Sequence, residues 1–145
     1  MSELLAYLAG IVDGEAYIGI KKSKPHKQNG ERSSTYYERI QIRMVDEVAI
    51  KLFSDTFGGS YYREAPHADK GKPLYAYQVS DRSACRIIKQ LLPYLKVKKR
   101  DAELVLELRK LKEQLHSYGH GKGKMSEEDL QCRESLYNKL KVLHL

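Results

Sequence analysis

Two stretches of this chain alternate residue by residue, and such a chain builds a sheet with two unlike faces. In 17–24, YIGIKKSK, Ile18 and Ile20 fall on one side, with Tyr17, Gly19, Lys21 and Ser23 on the other. In 36–44, YYERIQIRM, Ile40, Ile42 and Met44 make an apolar row opposite Tyr37, Arg39, Gln41 and Arg43. The stretch between them, 25–35, is polar and carries Pro and Gly, which indicates a loop. The two strands predict a hairpin with one oily and one basic face. Helices must cover the oily face, and the basic face stays open.

The rest of the chain supplies those helices. Segment 2–13, SELLAYLAGIVD, starts at Ser2 as N-cap and reads as a buried helix; the small Ala6, Ala9 and Gly10 would let another backbone approach. Asp46 caps a helix to Phe57, with Val48, Leu52 and Phe53 inward and Gly58-Gly59 as its stop. Segments 60–64 and 74–79 predict a second hairpin, and Ser80 or Asp81 opens a helix reaching Leu92 before Pro93. Segment 97–116 is amphipathic, 117–125 is a basic Gly-rich linker, and Ser126 with Asp129 signals a last helix. The expectation is one α+β domain over 1–145. Its αββαββα core spans 1–116 around a four-stranded antiparallel sheet, with helices on one face and a C-terminal helix in 126–145.

The charge balance suits a polyanionic partner. The 145 residues carry a net charge of +7, and each neutralised phosphate releases condensed counterions. Eleven tyrosines and no tryptophan suit sheet faces that pack and hydrogen-bond at once. No apolar run approaches a membrane span and no basic-then-apolar leader opens the chain, so an intracellular protein without export signal is expected. Cys85 and Cys132 have no framework spacing and read as reduced thiols. His116 and His120 have finger-like spacing but no paired-cysteine knuckle, which argues against structural zinc. Neither Gly58-Gly59 nor the GHGKG run has the strand–loop–helix context of a phosphate loop.

Residues 8–16, LAGIVDGEA, resemble the motif that names the LAGLIDADG homing endonuclease family. Tyr7 before it and Tyr17-Ile18 after it fit as well, as do Phe57-Gly58-Gly59 and the stretch 91–106. The resemblance covers roughly residues 1–116 and is closest to the single-motif branch, which includes homodimers. It implies a homodimer joined through the 2–13 helix, with Ala9 and Gly10 on the packing face and Asp13 in a structural role at the helix end. It also implies a divalent cation, Mg²⁺ with Mn²⁺ or Ca²⁺ as substitutes, held by Glu15 and the Gly14 carbonyl. Taken alone, an Asp-Gly-Glu is a solvated acid; the surrounding motif is what favours the metal role for Glu15.

The same resemblance places Lys98 near the active site. There it would polarise water or stabilise developing charge, or else contact phosphate within the run Lys96, Lys98, Lys99, Arg100. By strand and parity it implies double-stranded DNA contacts from Tyr17, Lys21, Ser23, Lys24, Tyr37, Arg39, Gln41 and Arg43, and on the second hairpin from Tyr61, Arg63, Tyr75 and Tyr77. An apolar packing role suits Tyr75 and Tyr77 equally. Lys24, Lys27, Arg32, Lys70 and Lys72 lie in or beside loops and suit phosphate. Two departures stand out: Ala16 replaces the usual terminal Gly, and Met44 stands where relatives often carry Gln, with Gln41 or Arg43 as substitutes. The implied activity is a site-specific, metal-dependent double-strand break in a long pseudo-palindromic target. The alternative is a cleavage-defective binder of the same fold, either an RNA maturase or a DNA-binding regulator. A purely structural dimerisation module is disfavoured by the basic sheet face.

Overall fold

The computed structural model describes residues 2–24, 34–64, 71–116 and 126–145. The expectations for Lys27, Arg32, Lys70, His120 and the linker 117–125 lie outside them. The elements run α1 (Ser2–Glu15), β1 (Ala16–Lys22), β2 (Tyr36–Met44), α2 (Glu47–Phe57), β3 (Tyr61–Arg63), β4 (Tyr75–Ser80) and α3 (Asp81–Leu91). A short 3₁₀ turn (Leu92–Tyr94), α4 (Lys99–His116) and α5 (Glu127–Leu143) follow. This is the expected α+β order, with α1 and β1 meeting at Glu15 and Ala16 rather than across a break.

The four strands pair antiparallel in the order β1-β2-β4-β3. Directly opposed residues share a face, so the register fixes which side chains look outward. The pairs Tyr17↔Gln41, Gly19↔Arg39 and Lys21↔Tyr37 continue through Gln41↔Gln78, Arg43↔Ala76 and Tyr62↔Ala76. The pairs Ile18↔Ile40, Ile42↔Tyr77 and Tyr61↔Tyr77 lie on the opposite, helix-covered face.

That face closes on a single core. Leu8 and Val12 from α1, Ile18, Ile40 and Ile42 from the sheet, Phe53 from α2, Ile88 from α3 and Leu108 from α4 are all fully buried. Each such side chain contributes about 1.5–3 kcal/mol on burial. Asp46 caps α2 by accepting from the Ala49 N–H at 3.1 Å, and Gly58 ends it at φ +90°, a conformation that favours glycine. Ser126 caps α5 by accepting from the Asp129 N–H at 3.2 Å. Ser80 precedes α3 but spends its hydroxyl elsewhere, accepting from Arg39 Nε at 3.2 Å across the sheet.

Three expectations about packing are corrected. α1 is amphipathic in this chain rather than wholly buried, with Leu4, Ala6, Tyr7, Gly10 and Gly14 exposed. Ala9 is fully buried and belongs to the core, not to the open small-residue face. Val48 points outward at 80% exposure, and Ala49, Ile50 and Phe53 form the inward stripe of α2 instead. An apolar tally cannot see this; the i, i+3, i+4 phase set by Phe53 decides it.

α5 covers the flank that β1 would otherwise leave bare. It packs on α4 and β1, burying Leu136, Leu140 and Arg133. Lys22 donates to Glu134 at 2.9 Å, Tyr36 donates to the same carboxylate, and His144 reaches Asp101 at 2.6 Å. Beneath the sheet, Glu38 is fully buried on the apolar face and is held by Arg109 at 2.6 Å and Lys112 at 3.0 Å, both from α4. Burial keeps Lys112 below the ordinary lysine value even with Glu38 beside it.

Candidate nucleic-acid and metal site

The last turn of α1 brings three chemically different groups together. Asp13 turns inward: its carboxylate accepts from the backbone N–H groups of Lys96, Val97 and Lys98 at 2.9, 3.1 and 3.0 Å. Lys98 then donates its Nζ to the Asp13 carbonyl at 2.8 Å. Asp13 thus ties the end of α1 to the turn before α4, and both oxygens of its side chain are engaged. Lys98 is half-buried and held at the same helix end through Asp13, which precedes Glu15 by two residues.

Glu15 differs from Asp13 in every respect. Its side chain is exposed and has no hydrogen-bond or ion-pair partner among the described residues. Gly14 beside it is exposed, and its carbonyl falls in the last helical turn, whose C=O groups find no partner further along the helix. A free carboxylate at the negative end of a helix dipole attracts cations. Hard oxygens from one carboxylate and one carbonyl fit Mg²⁺, which keeps several waters and completes its shell with phosphate oxygens. No group of three or more His, Cys, Asp or Glu comes together among the described residues, so an all-protein metal cage is not what this geometry offers.

The open sheet face begins where α1 ends. Tyr17, Lys21, Tyr37, Arg39, Gln41 and Arg43 all lie on it, as the alternation of β1 and β2 predicts. Lys21 Nζ sits 4.4 Å above the Tyr17 ring, and the Arg39 guanidinium 5.3 Å from the Tyr37 ring. Tyr17 lies back over Gly19, where a Cβ would come within 2.3 Å of its hydroxyl, so glycine there makes room for the ring. Burial and the nearby Tyr137 push the Tyr17 hydroxyl above the usual tyrosine value, leaving it a neutral donor. Arg43 is less available than its position suggests, because Glu64 holds its guanidinium through Nε at 2.9 Å and a second, shorter bond. Ser23 and Lys24 follow β1; Ser23 Oγ accepts from the Thr35 N–H at 3.0 Å, while Lys24 is exposed.

On the second hairpin the expected contacts are corrected. Tyr61, Arg63, Tyr75 and Tyr77 have the parity of the helix-covered face. Tyr77 is fully buried, stacks on Phe53 at 6.0 Å and donates to the Gly58 carbonyl at 2.7 Å. Tyr61 packs edge-on to Tyr75 and donates to Glu47 at 2.8 Å. The residues that do face outward are Tyr62, Ala76, Gln78 and Ser80. The signal for them was the single polar residue in 74–79: Gln78 fixes the phase, and the tyrosines flanking Ala76 then fall inside. Met44 likewise points to the core side, where it packs against buried residues and opposes Tyr75.

No family model matches the sequence, and no curated protein matches it. Solved structures do match the fold. The homing endonuclease I-CvuI, in complex with DNA that is not cleaved in the presence of Mg, superposes with a TM-score of 0.61 at 16% identity, covering 93% of this chain and 95% of that one. The LAGLIDADG homing endonuclease I-SmaMI, bound to cleaved DNA, gives 0.68 at 18% identity, covering 97% of this chain and 45% of that one. The meganuclease I-AabMI, bound to uncleaved DNA, gives 0.57 at 24% identity over 79% of this chain and 39% of its own. The structural neighbours are thus LAGLIDADG homing endonucleases, and at these identities the likeness establishes the fold.

Proposed function

We propose that this chain is one half of a homodimeric, divalent-metal-dependent DNA endonuclease that recognises a long pseudo-palindromic duplex. The observation that carries the reading is the placement of Glu15, an exposed and unpaired carboxylate at the junction of α1 and a basic, open sheet face. The DNA complexes among the structural neighbours support the duplex as ligand. One chain supplies one Glu15, and a two-strand cut needs two, which a two-fold dimer provides. The exposed face of α1, with Leu4, Tyr7, Gly10 and Gly14, is the surface on which two copies would meet.

In this reading Glu15 and the Gly14 carbonyl would hold Mg²⁺, which when bound would supply Lewis-acid charge stabilisation for phosphodiester hydrolysis. Asp13 fixes the helix end so that Glu15 projects outward. Lys98, anchored through the Asp13 carbonyl, places a positive charge near the developing phosphate charge. Lys21, Arg39, Gln41 and Gln78 offer donors and acceptors suited to base edges in a major groove, with Arg favouring guanine and Gln adenine. Lys24 and Lys72, exposed beside the strand ends, suit phosphate.

The variant Glu15→Gln keeps the size and exposure of the side chain and removes its charge. It should abolish Mg²⁺-dependent cleavage while preserving duplex affinity in a mobility-shift assay. Full cleavage by that variant would refute the site. Binding by the wild-type chain without scission would favour the cut-defective binder of the same fold, and preference for structured RNA would favour a maturase.

A further inference from the structure

We propose that Glu64 is a specificity-determining residue: it holds Arg43 so that the guanidinium reads one guanine in each half-site of the duplex. The inference rests on the reading of the open sheet face as the duplex-binding surface. The row Arg43↔Ala76↔Tyr62 crosses β2, β4 and β3, and Glu64 comes two residues after Tyr62 with the same outward parity. The Glu64 N–H donates to the Leu74 carbonyl at 2.8 Å, which carries the hairpin pairing through it. Between the two, Ala76 offers only a methyl group, so the long Arg43 side chain reaches over β4 to Glu64. The carboxylate accepts from Arg43 Nε at 2.9 Å and from Nη2 through a second, shorter bond.

Among the described residues, Glu64 is the only acid in the outward rows of the sheet. An acid there repels phosphate and lowers affinity for any duplex. A surface ion pair also adds little to stability. What the pair does supply is geometry. Nε and Nη2 form one edge of the planar guanidinium, and Glu64 occupies it. The outer edge keeps one N–H from each terminal nitrogen, parallel and with no acceptor among the described residues. Two parallel donors match O6 and N7 of guanine, and no other base edge in the major groove presents two adjacent acceptors. The charge of Glu64 weakens the competing pull of phosphate on Arg43, and a guanidinium already held loses less freedom on binding. Arg39 gives the contrast: its Nε donates to the neutral Ser80 hydroxyl at 3.2 Å, and its charge has no acidic partner among the described residues. The register puts Arg43 one residue beyond the Ala16↔Ile42 pair, at the end of the sheet where Glu15 gives way to β1. The guanine therefore lies on the inner side of each half-site, closer to the cut than the bases opposite Arg39.

The test selects bound duplexes from a randomised library with the full chain, using Ca²⁺ in place of Mg²⁺. Wild type is compared with Glu64→Ala, Glu64→Gln, Arg43→Ser and the double variant Arg43→Ser, Glu64→Ala, and a cooperative melting transition confirms folding in each. Wild type should favour guanine about tenfold or more at one inner position of each half-site. Glu64→Ala should cut that preference to about threefold or less. The same variant should bind a mixed-sequence duplex more tightly, with the slope of log K against log salt steeper by about 1 per subunit. Glu64→Gln keeps one acceptor and should fall between. Arg43→Ser should lose the preference at the same position, and adding Glu64→Ala should change that position no further, because Glu64 acts through Arg43. Tighter binding by Glu64→Ala with the guanine preference intact would overturn the proposal, since a phosphate contact by Arg43 gives that result. An Arg43-dependent position that selects a base other than guanine would overturn it too. Failure of the duplex-binding reading shows differently: wild type then selects no motif at all, and the proposal falls with it.

Discussion

Replacing Asp13 by alanine tests how the end of α1 is held. The substitution removes the acceptor for three backbone N–H groups at 2.9–3.1 Å and leaves α4's leading turn without its anchor. Hydrogen bonds to a charged group contribute about 1.5–3 kcal/mol each. Lys96 and Val97 are exposed, so water replaces the carboxylate there, and only the half-buried Lys98 N–H is left poorly solvated. About 1 kcal/mol per bond is then appropriate, or about 3 kcal/mol in all. For a chain of this length that lowers the melting temperature by roughly 6–12 °C. Thermal and urea unfolding of Asp13→Ala beside wild type measure it directly. Asp13→Asn keeps one acceptor oxygen and should lose about half as much. A drop under about 2 °C in the alanine variant would refute the view that Asp13 anchors this junction.

Other consequences follow from single contacts. Gly10→Leu meets nothing within 4 Å in the single chain, so the fold should persist while two α1 helices can no longer approach; light scattering should give 16.7 kDa rather than twice that, and an unaltered dimer would contradict it. The Tyr36 hydroxyl and the Lys22 ammonium hold the Glu134 carboxyl below the ordinary glutamate value. Its stabilising share is therefore complete above that ordinary value and is lost as pH falls through the lowered one; Glu134→Gln should flatten the acid limb of stability against pH. Glu38→Ala strands Arg109 and Lys112 beneath the sheet and should cost about 3–5 kcal/mol in urea unfolding. Tyr77→Phe removes one bond to the Gly58 carbonyl while keeping the stack on Phe53, and should cost only about 1 kcal/mol.

The elements were legible in the sequence because their signals are local. The alternation in β1 and β2, the caps at Asp46 and Ser126 and the Gly58-Gly59 stop each act within a few residues, and each appears where its chemistry requires. What failed was phase wherever the pattern was short. In β4 three aromatic or aliphatic residues surround Ala76, so the phase hangs on the single polar residue Gln78, and the pairing with β2 bears that phase out, with Gln78 facing out and Tyr77 in. Buried charge was also invisible. Glu38 has the parity of Ile40 and Ile42, but its partners Arg109 and Lys112 lie more than seventy residues away on α4. At the candidate site the resemblance already gave Asp13 a structural role and Glu15 an open one, but not the partners that hold Asp13. Asp13 and Glu15 are both acids two residues apart, and the physical basis of their difference is the tertiary contact of Asp13 with Lys96–Lys98, more than eighty residues away.

The central claim is that Glu15 and the open sheet face belong to a metal-dependent, sequence-specific nuclease. Incubating the purified chain with a randomised duplex library, with Mg²⁺ and with EDTA, and sequencing the cut ends tests it most directly. The account predicts double-strand cuts at one pseudo-palindromic sequence with Mg²⁺, and none with EDTA or with Glu15→Gln. Intact DNA under all conditions, or cuts that persist in EDTA, would contradict it.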